Sequence, residues 1–255
     1  MTATSEYGEV VFLQIEDGVR LHYESSGDPN RPTLLLWHGA RCTLRQWDHV
    51  VSKLEDHRFH LVRFDVRGAG QSSSGADEDY TFAKYATDAC KLLDHLNVTQ
   101  CHVWSMAWGS RAAFAFCATY PERIISAALF DLSIGKPDVA AQRSGNKLAR
   151  EKQRAAGYVA PPLPDGWNQH RDEQSLAKSL AASGQVELAS MAHKLTMPIL
   201  VATGDHDPNL ASSREAVQLL PNAKLIELEN VGHGSVLMQP TLCTEVLLEF
   251  VERHA

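Results

Sequence analysis

The stretch Cys101-His102-Val103-Trp104-Ser105-Met106-Ala107-Trp108-Gly109-Ser110 carries the first sign of chemistry. An apolar run ends in small residues and passes into a helix-forming segment. Its centre, Ser105-Met106-Ala107-Trp108-Gly109, has the spacing of G-x-S-x-G, a strained strand-to-helix turn that lifts one side chain clear of the backbone. Such a turn needs small residues two places before and two places after its apex, and Ser105 and Gly109 meet that need. The apex, where an attacking oxygen belongs, is Ala107. The same turn aims the N-terminus of a helix over 108–120 at the site, so the Trp108 N–H and the helix dipole can stabilise a developing negative charge.

Three more signals fall where apolar runs end. Trp37-His38-Gly39-Ala40 closes one run, and its glycine lets a backbone N–H turn toward a neighbouring site as an oxyanion donor. Asp65-Val66-Arg67-Gly68-Ala69-Gly70-Gln71-Ser72 closes another; its Asp and Arg can pin a tight turn, which reads as architecture. Gly204-Asp205-His206-Asp207-Pro208 and Asn230-Val231-Gly232-His233-Gly234 close two late runs. A nucleophile position, then an acid, then a histidine is the chain order Ser, Asp, His. Most of the 12 histidines would be surface residues, whereas His233 falls where that order requires a base.

These loops need a frame. Runs rich in Val, Ile and Leu predict eight strands, at 10–15, 19–25, 33–37, 60–64, 102–106, 125–130, 199–203 and 224–228. Glu16-Asp17-Gly18 is a hairpin turn, so the sheet begins antiparallel and continues parallel. Helices are expected at 44–54, 81–96, 108–120, 213–220 and 240–254. Phe82, Tyr85, Ala86, Ala89, Leu92, Leu93 and Leu96 make an apolar stripe at helical spacing, and Pro121 and Pro221 mark helix ends. The alternation predicts an α/β fold: an eight-stranded, mostly parallel sheet with helices on both faces. From 136 to 193 no strand is expected, charge is denser, and Pro161-Pro162-Leu163-Pro164-Asp165-Gly166 separates two helical pieces. This divides the chain into a core of 1–135 and 194–255 and an insertion of 136–193. The insertion lies over the carboxyl ends of the strands, where open α/β sheets bind ligands.

Together these motifs resemble the α/β-hydrolase fold superfamily over the chain from about 10 to 254. The resemblance implies His233 as general base, Asp207 as the acid that orients it, and the N–H groups of Ala40 and Trp108 as the oxyanion hole. It places the nucleophile on Ala107 and makes 136–193 a small helical cap that shapes the substrate pocket. Asp131, at the end of the sixth strand, is the alternative acid, since some members carry it there. Asp205 is a nearer competitor, but Asp207 followed by proline better matches the family's spacing.

Alanine cannot attack a carbonyl or form an acyl intermediate. Three readings stand: a hydrolase whose serine has been replaced by Ala107, a non-catalytic ligand-binding protein of the same fold, and a cofactor-free dioxygenase-like enzyme in which His233 with Asp207 deprotonates an acidic hydroxyl. Ser105 lies in the strand and Ser110 within the helix, so neither points where Ala107 points.

Around the site, Arg41 could hold a carboxylate or a polarised carbonyl, His38 and Trp37 are candidate substrate contacts, and Trp37, Trp108 and Trp167 could offer aromatic walls. Arg143, Lys147, Arg150, Lys152 and Arg154 share one helix of the insertion and read as a solvated face. Ester, lactone, thioester, amide and carbon–carbon bond hydrolysis share one triad, and the insertion suits a small or medium substrate. No metal or other cofactor is expected, because the histidines lack ligand spacing.

Length and composition agree with this frame. The 255 residues suit one large α/β domain, and 44% hydrophobic with 22% charged residues is ordinary for a folded globular chain. A net charge of −7 without a basic stripe argues against nucleic acid. Five cysteines without C-x-x-C pairing read as reduced thiols, and neither a signal peptide at Met1-Thr2-Ala3-Thr4 nor a membrane span is apparent, so a cytoplasmic protein is expected.

Overall fold

The computed structural model describes residues 11–55 and 59–254; the amino-terminal segment, and Val10 at the start of the first expected strand, lie outside them. Eight strands form one sheet: β1 Val11–Glu16, β2 Val19–Ser26, β3 Thr33–Trp37, β4 His60–Phe64, β5 Cys101–Met106, β6 Ile124–Phe130, β7 Ile199–Gly204 and β8 Ala223–Leu228. Their order is β1-β2-β4-β3-β5-β6-β7-β8. The β1–β2 and β2–β4 pairs are antiparallel and the rest parallel, as the hairpin at Gly18 followed by helical crossovers requires.

Helices α1 Asp48–Glu55, α2 Phe82–His95, α3 Trp108–Thr119, α4 Val139–Ala155, α5 Glu173–Ala181, α6 Leu210–Leu219, α7 Ser235–Met238 and α8 Pro240–Glu252 complete the fold. The expected helix over 44–54 is a short 3₁₀ turn, Leu44–Trp47, that leads into α1, capped by the Thr43 hydroxyl. Helix α6 begins at Leu210 instead of 213, because Asn209 and Asp207 already organise the turn before it.

The central strands of the sheet are buried on both faces. Leu35, Trp37, Val103 and Leu129 pack toward α2 and α3. Leu34, Leu36, Trp104 and Phe130 share the opposite core with residues of α1 and α8 such as Val50, Leu54 and Leu247. The alternation within β3, β5 and β6 is the two-residue period of a strand covered on both sides. The α2 stripe of Phe82, Tyr85, Ala86, Ala89, Leu92 and Leu93 is buried as its spacing demands.

The chain runs from β3 outward to β4, then returns to β5 on the other side of β3. The carboxyl ends of β3 and β5 therefore flank a topological switch point, where a crevice opens. Between β6 and β7 lie α4, α5 and two 3₁₀ segments, Ala182–Gln185 and Leu188–Lys194, with no strand among the described residues. All five cysteines are free. Among the described residues no helix is long and apolar enough to cross a membrane.

Candidate active site

Ala107 sits between β5 and α3 with φ 57° and ψ −117°, a backbone that an L-residue adopts only under strain. Trp37 pairs with Ser105 across β3 and β5, which sets the turn beside the loop that leaves β3. Gly109 closes the approach: a Cβ there would lie 2.2 Å from the His38 carbonyl oxygen and 2.8 Å from that of Trp37. Five non-glycine residues among those described have positive φ, and four of them, Arg41, Ala107, Asp131 and Asn230, lie on the loops that carry the candidate residues. Backbone strain is thus concentrated at one end of the sheet.

The loop after β3 is held from several directions. The Gly39 N–H donates to Gln46 Oε1 at 2.9 Å, and the buried His38 ring accepts the Val66 N–H at Nε2 and donates from Nδ1 to the Gly39 carbonyl. Burial pulls the His38 pKa down against the pull of Asp65, so the ring is neutral. His170, from the insertion, accepts the Gly70 N–H at Nδ1 and donates from Nε2 to the Arg41 carbonyl at 3.1 Å. Asp65 accepts the Leu44 and Gln71 amides and pairs with His22. With these contacts made, the Ala40 and Trp108 amides have no hydrogen-bond partner among the described residues. Both are free to donate to a ligand oxygen.

The candidate acid and base come from the β7 and β8 ends. His233 Nδ1 donates to Asp207 Oδ2 at 2.8 Å, which leaves Nε2 as the ring's basic atom. Asp207 is buried and its other oxygen accepts the Asn209 amide at 2.9 Å. Burial of His233 disfavours the imidazolium, but the hydrogen bond and charge of Asp207, with Asp131 behind, outweigh it and raise the pKa above the ordinary value. Asp131 accepts the Gly234 and Ser235 amides on Oδ2 at 3.0 and 2.8 Å, and its Oδ1 has no partner. Burial and the neighbouring Asp207 charge push Asp131 up to about 7. Asp205 accepts the Val231 N–H and holds the β8 loop instead of the His233 ring.

Helix α4 lies across these two loops. A Cβ at Gly145 would lie 1.9 Å from the His206 carbonyl oxygen, and the buried Gln153 side chain donates to the Asn230 carbonyl at 2.7 Å. Between α4, the segment after it and α7 opens a cleft of about 530 Å³ whose lining includes Arg150, Arg154, Tyr158, Trp167, His233 and Met238. Ala107 is 6% exposed and is not part of that lining.

Other expected contacts are placed differently. Trp37 is fully buried against Phe64 and Phe116, so it cannot meet a ligand; strand alternation sends its ring to the α2 and α3 face. His38 is not a substrate contact either, since both ring nitrogens are engaged in the loop. Arg41 is exposed and reaches toward Glu173 at 3.4 Å. The Trp108 ring packs on Phe82 and Tyr85 and donates to the Leu180 carbonyl, away from the cleft, so only its amide faces the site. Trp167 does line the cleft. The Ser105 and Ser110 hydroxyls bond each other and the Ala128 and Phe130 carbonyls in the core. Cys42, next to the Ala40 loop, is a buried thiol pushed up to about 12, too weakly ionised to act as a nucleophile.

Gln46, His170, Asn209 and Gln153 were not legible as site residues. His170 and Gln153 act on loops far away in sequence, while Gln46 and the Asn209 amide act within their own loops, and no motif spacing marks any of the four.

A family model described as alpha/beta hydrolase fold matches residues 32–163. The chain is 23% identical over 94% of its length to a Bacillus subtilis protein provisionally named 2-succinyl-6-hydroxy-2,4-cyclohexadiene-1-carboxylate synthase, covering 98% of that protein. It is 24% identical over 87% of its length to 3-oxoadipate enol-lactonase 2 of Acinetobacter baylyi, covering 89% of that enzyme. Among solved structures, the enol-lactonase of Burkholderia xenovorans superposes with a TM-score of 0.78 at 23% identity, over 95% of this chain and 100% of the other.

Proposed function

Because the chain belongs to the alpha/beta hydrolase fold family, we propose that its site acts on the carbonyl of an ester or lactone, with position 107 as the place of the nucleophile. His233 Nε2 is the general base, Asp207 fixes and charges the ring through Nδ1, and the Ala40 and Trp108 amides receive the oxyanion. The segment 136–193 is the cap, with α4 roofing the acid and base loops. In this chain the attacking oxygen is missing. It binds and polarises a carbonyl without forming an acyl-enzyme. With serine at 107, His233 takes the hydroxyl proton, the oxygen attacks, and water activated by the same ring releases the acyl group. The free, largely buried cysteines suit a reducing, cytoplasmic compartment.

The observation that carries this reading is the strained backbone of Ala107. A turn at φ 57° and ψ −117° serves to present an atom beyond Cβ, and Gly109 is kept at contact distance to allow it. The experiment is Ala107→Ser beside the parent chain, with a fluorophosphonate probe and small chromogenic esters. Labelling and turnover that appear with serine and vanish on adding His233→Ala support the reading. A folded Ala107→Ser protein that stays inert removes it.

A second reading, a base-only reaction of the dioxygenase-like kind, is favoured by one observation: the His233–Asp207 pair is intact at 2.8 Å although no nucleophile needs it. It expects oxygen uptake by the parent chain on an acidic hydroxyl compound, lost in His233→Ala.

A further inference from the structure

Arg150 and Arg154 stand one turn apart on the same side of α4, and both line the cleft that reaches His233. Among the described residues no aspartate or glutamate lines that cleft. Elsewhere the buried guanidinium groups of the sheet are matched: Arg63 holds Glu24 and Asp48, and Arg67 holds Asp88, Asp79 and Glu16. The Arg150 and Arg154 guanidinium groups have no ion-pair or hydrogen-bond partner among the described residues. Both arginines also border the neighbouring groove, where Glu151 is outnumbered by Arg143 and Lys147 and the local field stays positive. The basic side of α4 is solvent-exposed as its spacing predicts, and two of its arginines also border the cleft.

The rest of the cleft wall is largely apolar, with Leu163, Trp167, Leu237 and Met238. We propose that the cleft selects a substrate bearing an anionic group, which Arg150 and Arg154 hold while the apolar body lies along Trp167 and Met238 and the reacting end meets His233. The placement of the reacting end rests on the site reading above; the anion site does not. Two guanidinium forks on adjacent turns match the paired oxygens of a carboxylate or a phosphate, whereas a lone lysine would supply only a point charge. In a chain of net charge −7, this local positive field also steers anions to the one face that carries the base.

The test measures binding to the parent chain, by calorimetry at low salt, of 4-phenylbutyrate, 3-phenylpropyl phosphate and the neutral 4-phenylbutanamide. Because both arginines are exposed, the anions are expected to bind about five- to tenfold tighter than the amide. That preference is expected to vanish in the double variant Arg150→Gln with Arg154→Gln and to shrink with added salt. The ratio of the two anions identifies which oxygen group the forks prefer. Retention of part of the preference in Arg150→Lys with Arg154→Lys supports a charge site, and parental affinity of the Gln variant for the neutral amide shows that this variant is folded. Equal binding of acid and amide, or a preference that survives the double Gln variant, overturns the proposal.

The Ala107→Ser protein separates the two readings. Turnover of p-nitrophenyl butyrate and p-nitrophenyl hemisuccinate with equal KM supports hydrolysis and overturns the anion site. Anion preference in the parent with no turnover in Ala107→Ser supports the anion site and removes the hydrolytic reading.

Discussion

Asp131 and Asp207 leave the ends of the neighbouring strands β6 and β7 and bring carboxylate oxygens, together with a ring nitrogen of His233, to within 4.8 Å of one another. The two acids do different work. Asp207 bonds the ring, while Asp131 holds the Gly234 and Ser235 amides and thereby the turn on which the ring stands. Two buried carboxylates this close resist joint ionisation, and the one with an unpartnered oxygen keeps its proton longer.

Stability should therefore depend on Asp131 in a defined window. Its native pKa is raised to about 7, so the folded chain binds this proton more tightly than the unfolded chain does. Its contribution is full below the ordinary aspartate value and is lost as pH rises toward 7. Asp131→Asn keeps an acceptor for both amides and never ionises. Urea unfolding between pH 4 and 8 should show the parent losing on the order of a few kcal/mol that the variant retains. Equal pH slopes would show that Asp131 titrates as an ordinary carboxyl.

The division of labour also predicts a pH–rate profile. In the Ala107→Ser background the base must be neutral, and Asp207 holds the His233 pKa above its usual value, so the acid limb of kcat/KM should lie above the ordinary histidine range. Asp207→Asn should move that limb downward and lower kcat by about 10³- to 10⁴-fold, while Asp131→Asn should do much less. The reverse ranking of the two variants would exchange the roles of the acids.

Much of this arrangement was legible because local rules and the fold agree. Strands rich in Val, Ile and Leu fall where they must in a sheet covered on both faces, and each site loop begins at a strand end. Trp37 shows where such reading stops. Its position beside His38 suggests a ligand wall, yet the two-residue period of β3 turns its ring into the core. His170 shows a second limit. It braces the Arg41 and Gly70 loops from about a hundred residues away, a pairing that only the path of the insertion creates. For α4, charge spacing describes one surface, but Gly145 and Gln153 decide which side of the helix meets the β7 and β8 loops.

Strain at the elbow is open to direct measurement. Ala107 holds a left-handed backbone without the hydroxyl that such a turn serves, and only glycine adopts positive φ freely. Ala107→Gly should raise stability by about 1 kcal/mol in urea unfolding, since relief of strain outweighs the greater freedom of the unfolded chain. A loss of stability would mean that the Ala107 methyl contributes more through packing than its backbone costs.

The opposite change two residues on should be severe. At Gly109 a methyl meets two backbone carbonyls, those of His38 and Trp37, and neither can swing aside as a side chain would. Gly109→Ala should cost about 1–3 kcal/mol and displace the Ala40 loop. In the Ala107→Ser background this should lower kcat more than it raises KM, because the proposed oxyanion amide is needed chiefly in the transition state. Turnover at the parental level would place the oxyanion donor elsewhere.

Gly145 tests whether α4 is seated on the β7 and β8 loops or merely near them. Glycine in the middle of a helix is unfavourable by about 1 kcal/mol relative to alanine, so on a free helix Gly145→Ala would stabilise. Here the added methyl would lie 1.9 Å from the His206 carbonyl oxygen, in the turn that carries Asp207. The helix must move outward, and Gln153 must then release the Asn230 carbonyl on the loop that carries His233. Gly145→Ala should accordingly destabilise the chain by about 1–3 kcal/mol. It should also weaken 4-phenylbutyrate binding, because Arg150 and Arg154 ride on the same helix. A more stable variant with unchanged binding would show that α4 does not bear on the β7 turn, and the roof over His233 would have to be assigned to another segment of the insertion.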